Sequence, residues 1–195
     1  MVLPLAAKGA FPDWKKEVRL GVIADLHQDI MHDAAERLGV FLSTMKKAGV
    51  DALFQLGDFA VPSEKNRTVV EQFKSAHKRT YHVLGNHDTD SGHTVAQCLN
   101  QWGMPAPYYR ATIDGLQVLV LNGNVKGSPT HKGGYATYVG DKQRAWLAEQ
   151  LASGPGPFLI VSHQPLAGVS SVDDADEVQT LLGRHSEKIV LAISV

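Results

Sequence analysis

Short apolar runs alternate with helix-like segments along most of this sequence, and that alternation is the strongest constraint on its fold. The apolar runs predict strands at residues 18–24, 52–56, 80–84, 158–161 and 188–193. Helical spacing and helix start and stop signals predict helices at residues 33–48, 63–78, 94–102, 141–152 and 174–182. Repeated strand–helix units of this kind are typical of α/β domains.

Two more predicted strands, at about residues 108–113 and 116–121, flank the dipeptide Asp114-Gly115. An Asp-Gly pair between apolar runs is a hairpin signal, and a hairpin pairs its strands antiparallel. The sheet structure therefore cannot be wholly parallel, and helices outside two packed sheets would fit. At the first helix, Asp33 and Glu36 predict an N-terminal capping pair, and Gly49 predicts the helix end.

The composition excludes several classes of protein. The 195 residues, 44% of them hydrophobic and 20% charged, are typical of one soluble globular domain. A formal net charge of -1 leaves no basic footprint for nucleic acid. Cys98 is the single cysteine, which excludes an internal disulfide and a cysteine-rich zinc site. No apolar run reaches the length of about 18 residues that a membrane span needs.

We expect residues 1–17 to form an N-terminal extension and residues 18–195 to form a single domain. The extension is a poor signal peptide because its apolar run is short, Pro4 interrupts it and no basic residue precedes it. The cytoplasm is therefore slightly favoured as the compartment, with export left open. Nothing in the sequence indicates the oligomeric state.

Four of the predicted strands end in side chains that can bind a metal ion. The motifs at these strand ends are DLH (25–27), GD (57–58), GNHD (85–88) and SH (162–163). Ligands of α/β sheets lie at the carboxyl ends of strands, so neighbouring parallel strands would bring all four motifs to one edge. Any one motif alone is more often a turn or a cap, but a histidine adds nothing to a turn. Four such strand ends in order are hard to obtain by accident.

The donor atoms of these motifs are carboxylate oxygens, imidazole nitrogens and one amide oxygen, without a thiolate. This set suits manganese, iron, zinc or cobalt. Asp25 and His27 are two positions apart, so a strand would direct both to the same side. The two oxygens of Asp58 could bridge two ions. Two metal ions about 3.5–4 Å apart can clamp a phosphoryl group and activate a hydroxide.

The order D-x-H, GD, GNHD and then a histidine after a later strand resembles the calcineurin-like metallophosphoesterases, over about residues 18–195. The resemblance implies an α/β fold of the metallo-dependent phosphatase type, a four-layer α/β/β/α sandwich of two mixed sheets. It also implies a dinuclear site with two divalent or mixed-valence transition-metal ions (manganese, iron or zinc). Such a protein would hydrolyse a phosphomonoester or phosphodiester with a metal-bound hydroxide.

By the same resemblance, Asp25 and His27 would bind the first metal ion, Asp58 would bridge, and Asn86 and His163 would bind the second. The superfamily normally has one more motif, Gly-His-x-His, after the last strand, and each of its histidines completes one metal site. Here the sequence reads KIVLAISV and stops, so each ion would lack one protein ligand. We expect either a fragment whose missing tail supplies the motif or a naturally shortened protein, and the fragment is favoured.

His87 is implied as a catalytic residue that stabilises charge on the phosphoryl group or donates a proton to the leaving group. Asp88 would orient His87, with a structural turn role as the alternative. His32, just before the first helix, and Asn122 and Asn124, after another strand, are candidate substrate-binding residues. For His32 the alternative is a helix-entry residue, and for the two asparagines it is a turn. The loop that runs on to residue 137 is long enough to be a lid or specificity loop.

The segment after the second strand bears on the substrate. The protein serine/threonine phosphatases of the superfamily carry GD-x-x-D-R-G, whose arginine grips phosphate, whereas this chain reads GDFAVPSEKNR. The difference argues against phosphoprotein substrates and favours a small phosphoester, with a nucleotide-like molecule as one candidate. A non-catalytic scaffold and a mononuclear metal-binding protein with the same fold are the alternatives, since Gly-His-x-His is missing. The retained His87 opposes the scaffold, which would have little use for it.

Overall fold

Two four-stranded sheets form the centre of the structure, a computed structural model that describes residues 2–5, 11 and 17–195. The first sheet has the order β1 (Val2–Leu5), β2 (Val18–Ile23), β3 (Ala52–Gln55) and β4 (Thr80–His82). The second has the order β5 (Tyr109–Ile113), β6 (Leu116–Val120), β7 (Phe158–Val161) and β8 (Ile189–Ile193). In the first sheet, β2, β3 and β4 run parallel, and in the second sheet β6, β7 and β8 do. The edge strands β1 and β5 are antiparallel to their neighbours. Both sheets are therefore mixed, as the hairpin signal predicted.

In the described part of the chain, five helices connect the strands. They are α1 (Ala34–Ala48), α2 (Arg67–Ser75), α3 (Val95–Trp102), α4 (Asp141–Ser153) and α5 (Ala175–Gly183). Short 3₁₀ segments occur at Glu64–Asn66, His87–Gly92 and Ser186–Lys188. No helix among the described residues is both long and apolar enough to cross a membrane.

Alternation along β6 shows how the layers stack. Val118 and Val120 belong to the large buried cluster that the two sheets share. Leu119 points the other way, into a second buried cluster with Leu147 of α4 and Val178 of α5. The second sheet is thus covered by the first sheet on one face and by α4 and α5 on the other. This follows from the period of two in a strand, which sends successive side chains to opposite faces.

The first sheet is covered by α1 at a close approach that only glycine permits. A Cβ added at Gly21 of β2 would lie 2.7 Å from the Met45 sulfur of α1 and 2.7 Å from a Leu53 methyl carbon. The helices α2 and α3 add their buried side chains to the same core as the first sheet. The four-layer α/β/β/α sandwich of two mixed sheets is confirmed.

The element boundaries agree with the sequence to within a few residues, and two turn predictions are confirmed. Gly49 ends α1 with a left-handed backbone (φ 61°), and the hairpin residues Asp114 and Gly115 both have positive φ (49° and 95°). The capping pair at Asp33 was wrong: the Asp33 carboxylate makes no capping hydrogen bond and instead accepts one from Arg37 Nε at 3.0 Å. Of the expected extension over 1–17, residues 1, 6–10 and 12–16 lie outside the described part.

His82 is a buried histidine of β4 that packs among aromatic rings. Its ring centroid lies 5.2 Å from that of Phe73 and 5.5 Å from that of Trp102, and its Nδ1 accepts a hydrogen bond from Gln55 Nε2 at 3.2 Å. Burial, followed by the charge of Lys74, lowers the pKa of His82 to about 3. The imidazole is therefore neutral in the folded protein at all but strongly acidic pH.

We expect acid to destabilise the fold through His82. The unfolded chain takes up a proton near the ordinary pKa of 6.5, whereas the folded chain does so only near about 3, so stability is lost as the pH falls between these values. In the His82→Gln variant, residue 82 takes up no proton in either state, so this contribution to the pH dependence of stability is absent. The excess unfolding free energy of the wild type over the variant should therefore shrink by about 2 kcal/mol between about pH 7 and about pH 5, measured by urea denaturation. A constant difference would contradict the assignment.

Candidate metal centre

The loops that follow β2 and β3 lie side by side and carry the first three candidate ligands. Asp25 N donates to the Gly57 carbonyl at 3.1 Å, and His27 N donates to the Asp58 carbonyl at 2.9 Å. Asp25, His27 and Asp58 all have left-handed backbone conformations, with φ of 52°, 49° and 52°. Such conformations are strained for residues other than glycine and cluster at functional sites.

These backbone turns, and not a strand, bring Asp25 and His27 together. The sequence analysis expected a strand to direct both side chains to the same side. The two side chains do lie close together, but β2 ends at Ile23, so the expected cause was wrong. His27 Nε2 nevertheless lies 3.7 Å from Asp25 Oδ1 and 3.7 Å from Asp58 Oδ2. One ligand atom from each of the three lies within 4.8 Å of the others, a spacing that one metal ion could bridge.

A second set of donors meets on the other side of the Asp58 carboxylate. His163 Nε2 lies 3.3 Å from Asp58 Oδ2 and 3.2 Å from Asn86 Oδ1. The other ring nitrogen, Nδ1, donates to the Leu56 carbonyl at 2.9 Å, which turns Nε2 towards the carboxylate. Asp58, which is buried at 4% exposure, thus lies between two sets of donors. In the second set, Asn86 comes from the first sheet and His163 from the second. The structure brings all five predicted metal ligands into one cluster.

The electrostatics of Asp58 and His163 favour a positive charge between them. Burial alone would raise the pKa of Asp58, but the hydrogen bond and charge of His163 and the His87 backbone N–H outweigh it, so this pKa lies below its ordinary value. Burial alone would lower the pKa of His163, but Asp58 outweighs it and raises that pKa. A carboxylate that stabilises a proton on the imidazole would equally stabilise a cation bound there.

Asp88 lies behind the cluster, with its carboxylate 1% exposed. Its oxygens accept backbone N–H groups from Asp58, Phe59 and Ala60 (3.1, 2.8 and 3.2 Å) and from Gly85 (2.7 Å). Burial raises the pKa of Asp88 to about 7, against the effect of these donors. The carboxylate therefore joins the loop after β3 to the loop after β4, which is the structural role that the sequence left open.

Two side chains that the sequence analysis missed, Asp90 and Tyr135, lie within hydrogen-bond distance of the His87 ring. His87 Nδ1 lies 2.8 Å from Asp90 Oδ2 and 3.1 Å from the hydroxyl oxygen of Tyr135, and the His87 backbone N donates to Asp58 Oδ1 at 2.8 Å. The spacing of three residues between His87 and Asp90 was a usable signal, because a helical turn brings such positions together. Tyr135 lies 48 residues away and gave no local signal.

The three candidate substrate-binding residues are not among those that line the cavity at the cluster. His32 is exposed just ahead of α1. The Asn122 side chain accepts from Asn124 N at 2.9 Å, and Asn124 Nδ2 donates to the Leu84 carbonyl at 2.9 Å. Asn122 and Asn124 thus tie the loop after β6 to the end of the first sheet.

The cavity beside the cluster measures about 320 Å³ and has an acidic lining. The charged or titratable residues of its wall are Asp29, Asp58, Asp88, Asp90, His27 and His87. No lysine or arginine of the described residues lines it. An acidic wall with oxygen and imidazole donors fits divalent metal ions, and the described residues form one group of three or more such donors close enough to share an ion.

The histidines of a Gly-His-x-His motif have no counterpart at the cluster among the described residues. The strand β8 nevertheless runs parallel to β7 and reaches the same edge of the sheet. There, Val195 N donates to the His163 carbonyl at 3.0 Å. The backbone after β8 is therefore next to a predicted metal ligand.

The architecture and the ligand cluster agree with the family to which the sequence is matched. The family model for calcineurin-like phosphoesterases matches residues 18–192. The chain therefore belongs to the calcineurin-like phosphoesterase family and is a metallophosphoesterase, a hydrolase that acts on phosphoester bonds. No significant match to the sequence occurs among curated proteins.

Two solved structures share the fold at low sequence identity. A dimetal phosphatase from Danio rerio is 14% identical with a TM-score of 0.66, and the match covers 90% of this chain and 80% of that one. The phosphopantetheinyl hydrolase of Mycobacterium tuberculosis is also 14% identical, with a TM-score of 0.52 and a match over 90% of this chain and 81% of that one. At this identity the likeness establishes the fold.

We expect Gly85→Ala to disrupt the site and Gly39→Ala to leave it intact. A Cβ at Gly85 would lie 2.1 Å from Asp58 Oδ1 and 2.2 Å from Asp58 N, so the loop must move, at a cost of about 2 kcal/mol or more. A Cβ at Gly39, inside α1, meets nothing within 4 Å and should stabilise the helix by about 0.5–1 kcal/mol. Urea denaturation measures both, and a Gly85→Ala protein as stable as the wild type would contradict the close approach.

Proposed function

We propose that the protein hydrolyses a small phosphomonoester or phosphodiester with the help of two metal ions. Asp25, His27 and Asp58 would hold the first ion, and Asp58, Asn86 and His163 would hold the second. The observation that carries this proposal is the position of Asp58 Oδ2, 3.7 Å from His27 Nε2 and 3.3 Å from His163 Nε2. A single carboxylate between two imidazoles is suited to bridge two ions.

The acidic cavity supports a metal-dependent mechanism over a metal-free one. With no lysine or arginine among the described residues that line it, the protein side chains offer little positive charge to a phosphoryl group. When bound, divalent ions supply that charge, polarise the phosphoryl oxygens and make water more acidic. The ligand side chains would fix the position of the substrate phosphorus, and burial of Asp58 and His163 would keep bulk water away from this part of the site.

His87 is the group proposed to act on the leaving alcohol. It lines the cavity, its backbone N–H is fixed on Asp58 Oδ1, and its ring is 34% exposed, so a substrate can reach it. Proton donation by a positioned imidazole contributes about 10²–10⁴-fold to a rate. Asp88 would hold the loops in register without contacting the substrate.

The size and surroundings of the site support a small substrate. A cavity of about 320 Å³ accommodates a phosphoryl group and a compact organic group. Ile30, 67% exposed, contributes an apolar wall on which such a group could pack. Nucleotide-like phosphoesters fit this description and belong in a first substrate panel with simple aryl esters.

Metal content tests the binding step. Protein purified without chelators and saturated with manganese should hold two ions per chain by mass spectrometry. Asp58→Asn should weaken binding of both ions at least about a hundredfold, since the shared carboxylate is lost. The control is Asp176→Asn, an exposed carboxylate of α5, which should retain two ions. One ion per chain in the wild type would support a mononuclear protein instead.

Hydrolysis of p-nitrophenyl phosphate and of bis-p-nitrophenyl phosphate tests the chemistry and separates monoesterase from diesterase. With manganese, iron, zinc or cobalt added, at least one ester should be turned over, and Asp58→Asn should lose at least about a thousandfold in rate, because both ions depend on this carboxylate. Asp176→Asn should match the wild type. Two bound ions without turnover of any ester in the panel would favour the scaffold.

A further inference from the structure

Tyr135 reaches the proposed active site from the opposite sheet. It lies in the loop between β6 and α4, and its hydroxyl oxygen is 3.1 Å from His87 Nδ1 and 2.9 and 3.0 Å from the two oxygens of Asp90. The ring centroids of Tyr135 and His87 are 4.8 Å apart. Together with the 2.8 Å contact between His87 Nδ1 and Asp90 Oδ2, these contacts form a closed triangle of three side chains.

The triangle determines which nitrogen of His87 carries the proton. An ionised carboxylate can only accept, so both neighbours of Asp90 donate to it: the Tyr135 hydroxyl and the His87 Nδ1–H. The hydrogen bond to Asp90 raises the pKa of Tyr135, which keeps the phenol in its donor form. Nε2, on the other side of the ring, is left free for a group in the cavity that His87 lines.

The backbone conformations next to Asp90 and next to Tyr135 allow their side chains to meet at His87. The 3₁₀ segment His87–Gly92 is interrupted at Asp90, which is extended (φ -61°, ψ 166°), and at Ser91, which has a positive φ of 58°. This kink turns the Asp90 side chain back towards His87. On the other side, Gly133 and Gly134 have φ of 113° and 82°, conformations that favour glycine, directly before Tyr135.

Packing does not explain the position of Tyr135. Its side chain is 45% exposed, so burial of its ring contributes little, and its polar contacts are to Asp90 and His87. A large aromatic residue with a half-exposed ring and a hydroxyl directed at a proposed catalytic histidine differs from a core tyrosine such as Tyr109, which is 8% exposed. The position of Tyr135 is therefore explained by its contacts with His87 and Asp90.

We propose that Tyr135 is a positioning residue for His87, acting through Asp90 to hold the imidazole with Nε2 towards the leaving group of the substrate. The proposal rests on the proposed function for its consequence in catalysis, but the tautomer of His87 that it requires does not depend on turnover. When the ring is protonated on both nitrogens, Nε2–H would give its proton to the oxygen of the leaving alcohol, and the ring would return to the neutral form whose Nδ1–H donates to Asp90. The loop between β6 and α4 would in this way take part in protonation of the leaving alcohol.

Leaving-group dependence tests the catalytic consequence. A poor leaving group needs a proton more than p-nitrophenolate does. With the ester class that the wild type hydrolyses, Tyr135→Phe should lower kcat for the phenyl ester about tenfold and for the p-nitrophenyl ester less than about threefold, with KM unchanged. The matched control is Tyr108→Phe, since Tyr108 packs on Trp146 with ring centroids 5.0 Å apart. Equal effects on both esters would overturn the proposal.

The tautomer of His87 provides a readout that is independent of activity. In ¹⁵N-labelled protein, with His87→Gln used to assign the signal, the wild type and Tyr108→Phe should show a proton on Nδ1. Tyr135→Phe and Asp90→Asn should both shift the ring towards a mixture of tautomers, while the metal content stays at the wild-type level. An unchanged tautomer in Tyr135→Phe would overturn the proposal.

The two readouts separate failure of this proposal from failure of the proposed function. If the wild type hydrolyses none of the esters, the proposed function fails, and the tautomer measurement alone decides whether Tyr135 positions His87. If the wild type is active, the proposal requires both the selective loss with the phenyl ester and the change of tautomer.

Discussion

The hydrogen bonds accepted by one buried carboxylate, that of Asp88, are the interaction on which the site depends. They hold three successive N–H groups of the loop after β3 and the N–H of Gly85 after β4. The turns that carry Asp58 and Asn86 are thereby kept at a fixed separation. Left unpaired, each of these buried donors would cost about 1–3 kcal/mol. The predicted metal ligands can face open space because Asp88, behind them, accepts hydrogen bonds from the backbone of the loops that carry them.

The site links two sheets that also share an apolar core. His163 of the second sheet donates to the Leu56 carbonyl of the first, and Asn124 donates to the Leu84 carbonyl. Tyr135 adds a third polar link, to Asp90. Each link starts in a loop of the second sheet and ends at the carboxyl edge of the first. The relative position of the two sheets therefore sets the distance between the predicted metal ligands that each sheet contributes.

Much of this was readable in the sequence because the signals are local. Apolar runs that stop at a polar donor identified the strand ends, and the order of the motifs identified the five predicted metal ligands and the family. The predicted capping pair at Asp33 was wrong because the Asp33 carboxylate instead accepts a hydrogen bond from Arg37, one turn along the helix. Tyr135 was not predictable, since its partners are 45 and 48 residues away and only the tertiary fold brings them together. The left-handed turns at Asp25 and His27 were likewise invisible, because no residue type there requires them.

The left-handed backbones of Asp25, His27 and Asp58 set stability against activity within the same three residues. A non-glycine residue held in this backbone region stores about 1–3 kcal/mol of strain. The free energy of unfolding of a folded protein is only about 5–15 kcal/mol. Glycine at Asp25, whose side chain is half exposed, would relieve strain and at the same time remove a predicted metal ligand. Selection for thermal stability alone would thus act against the predicted metal ligands at these positions, whereas stabilising substitutions far from this edge of the sheets would leave them in place.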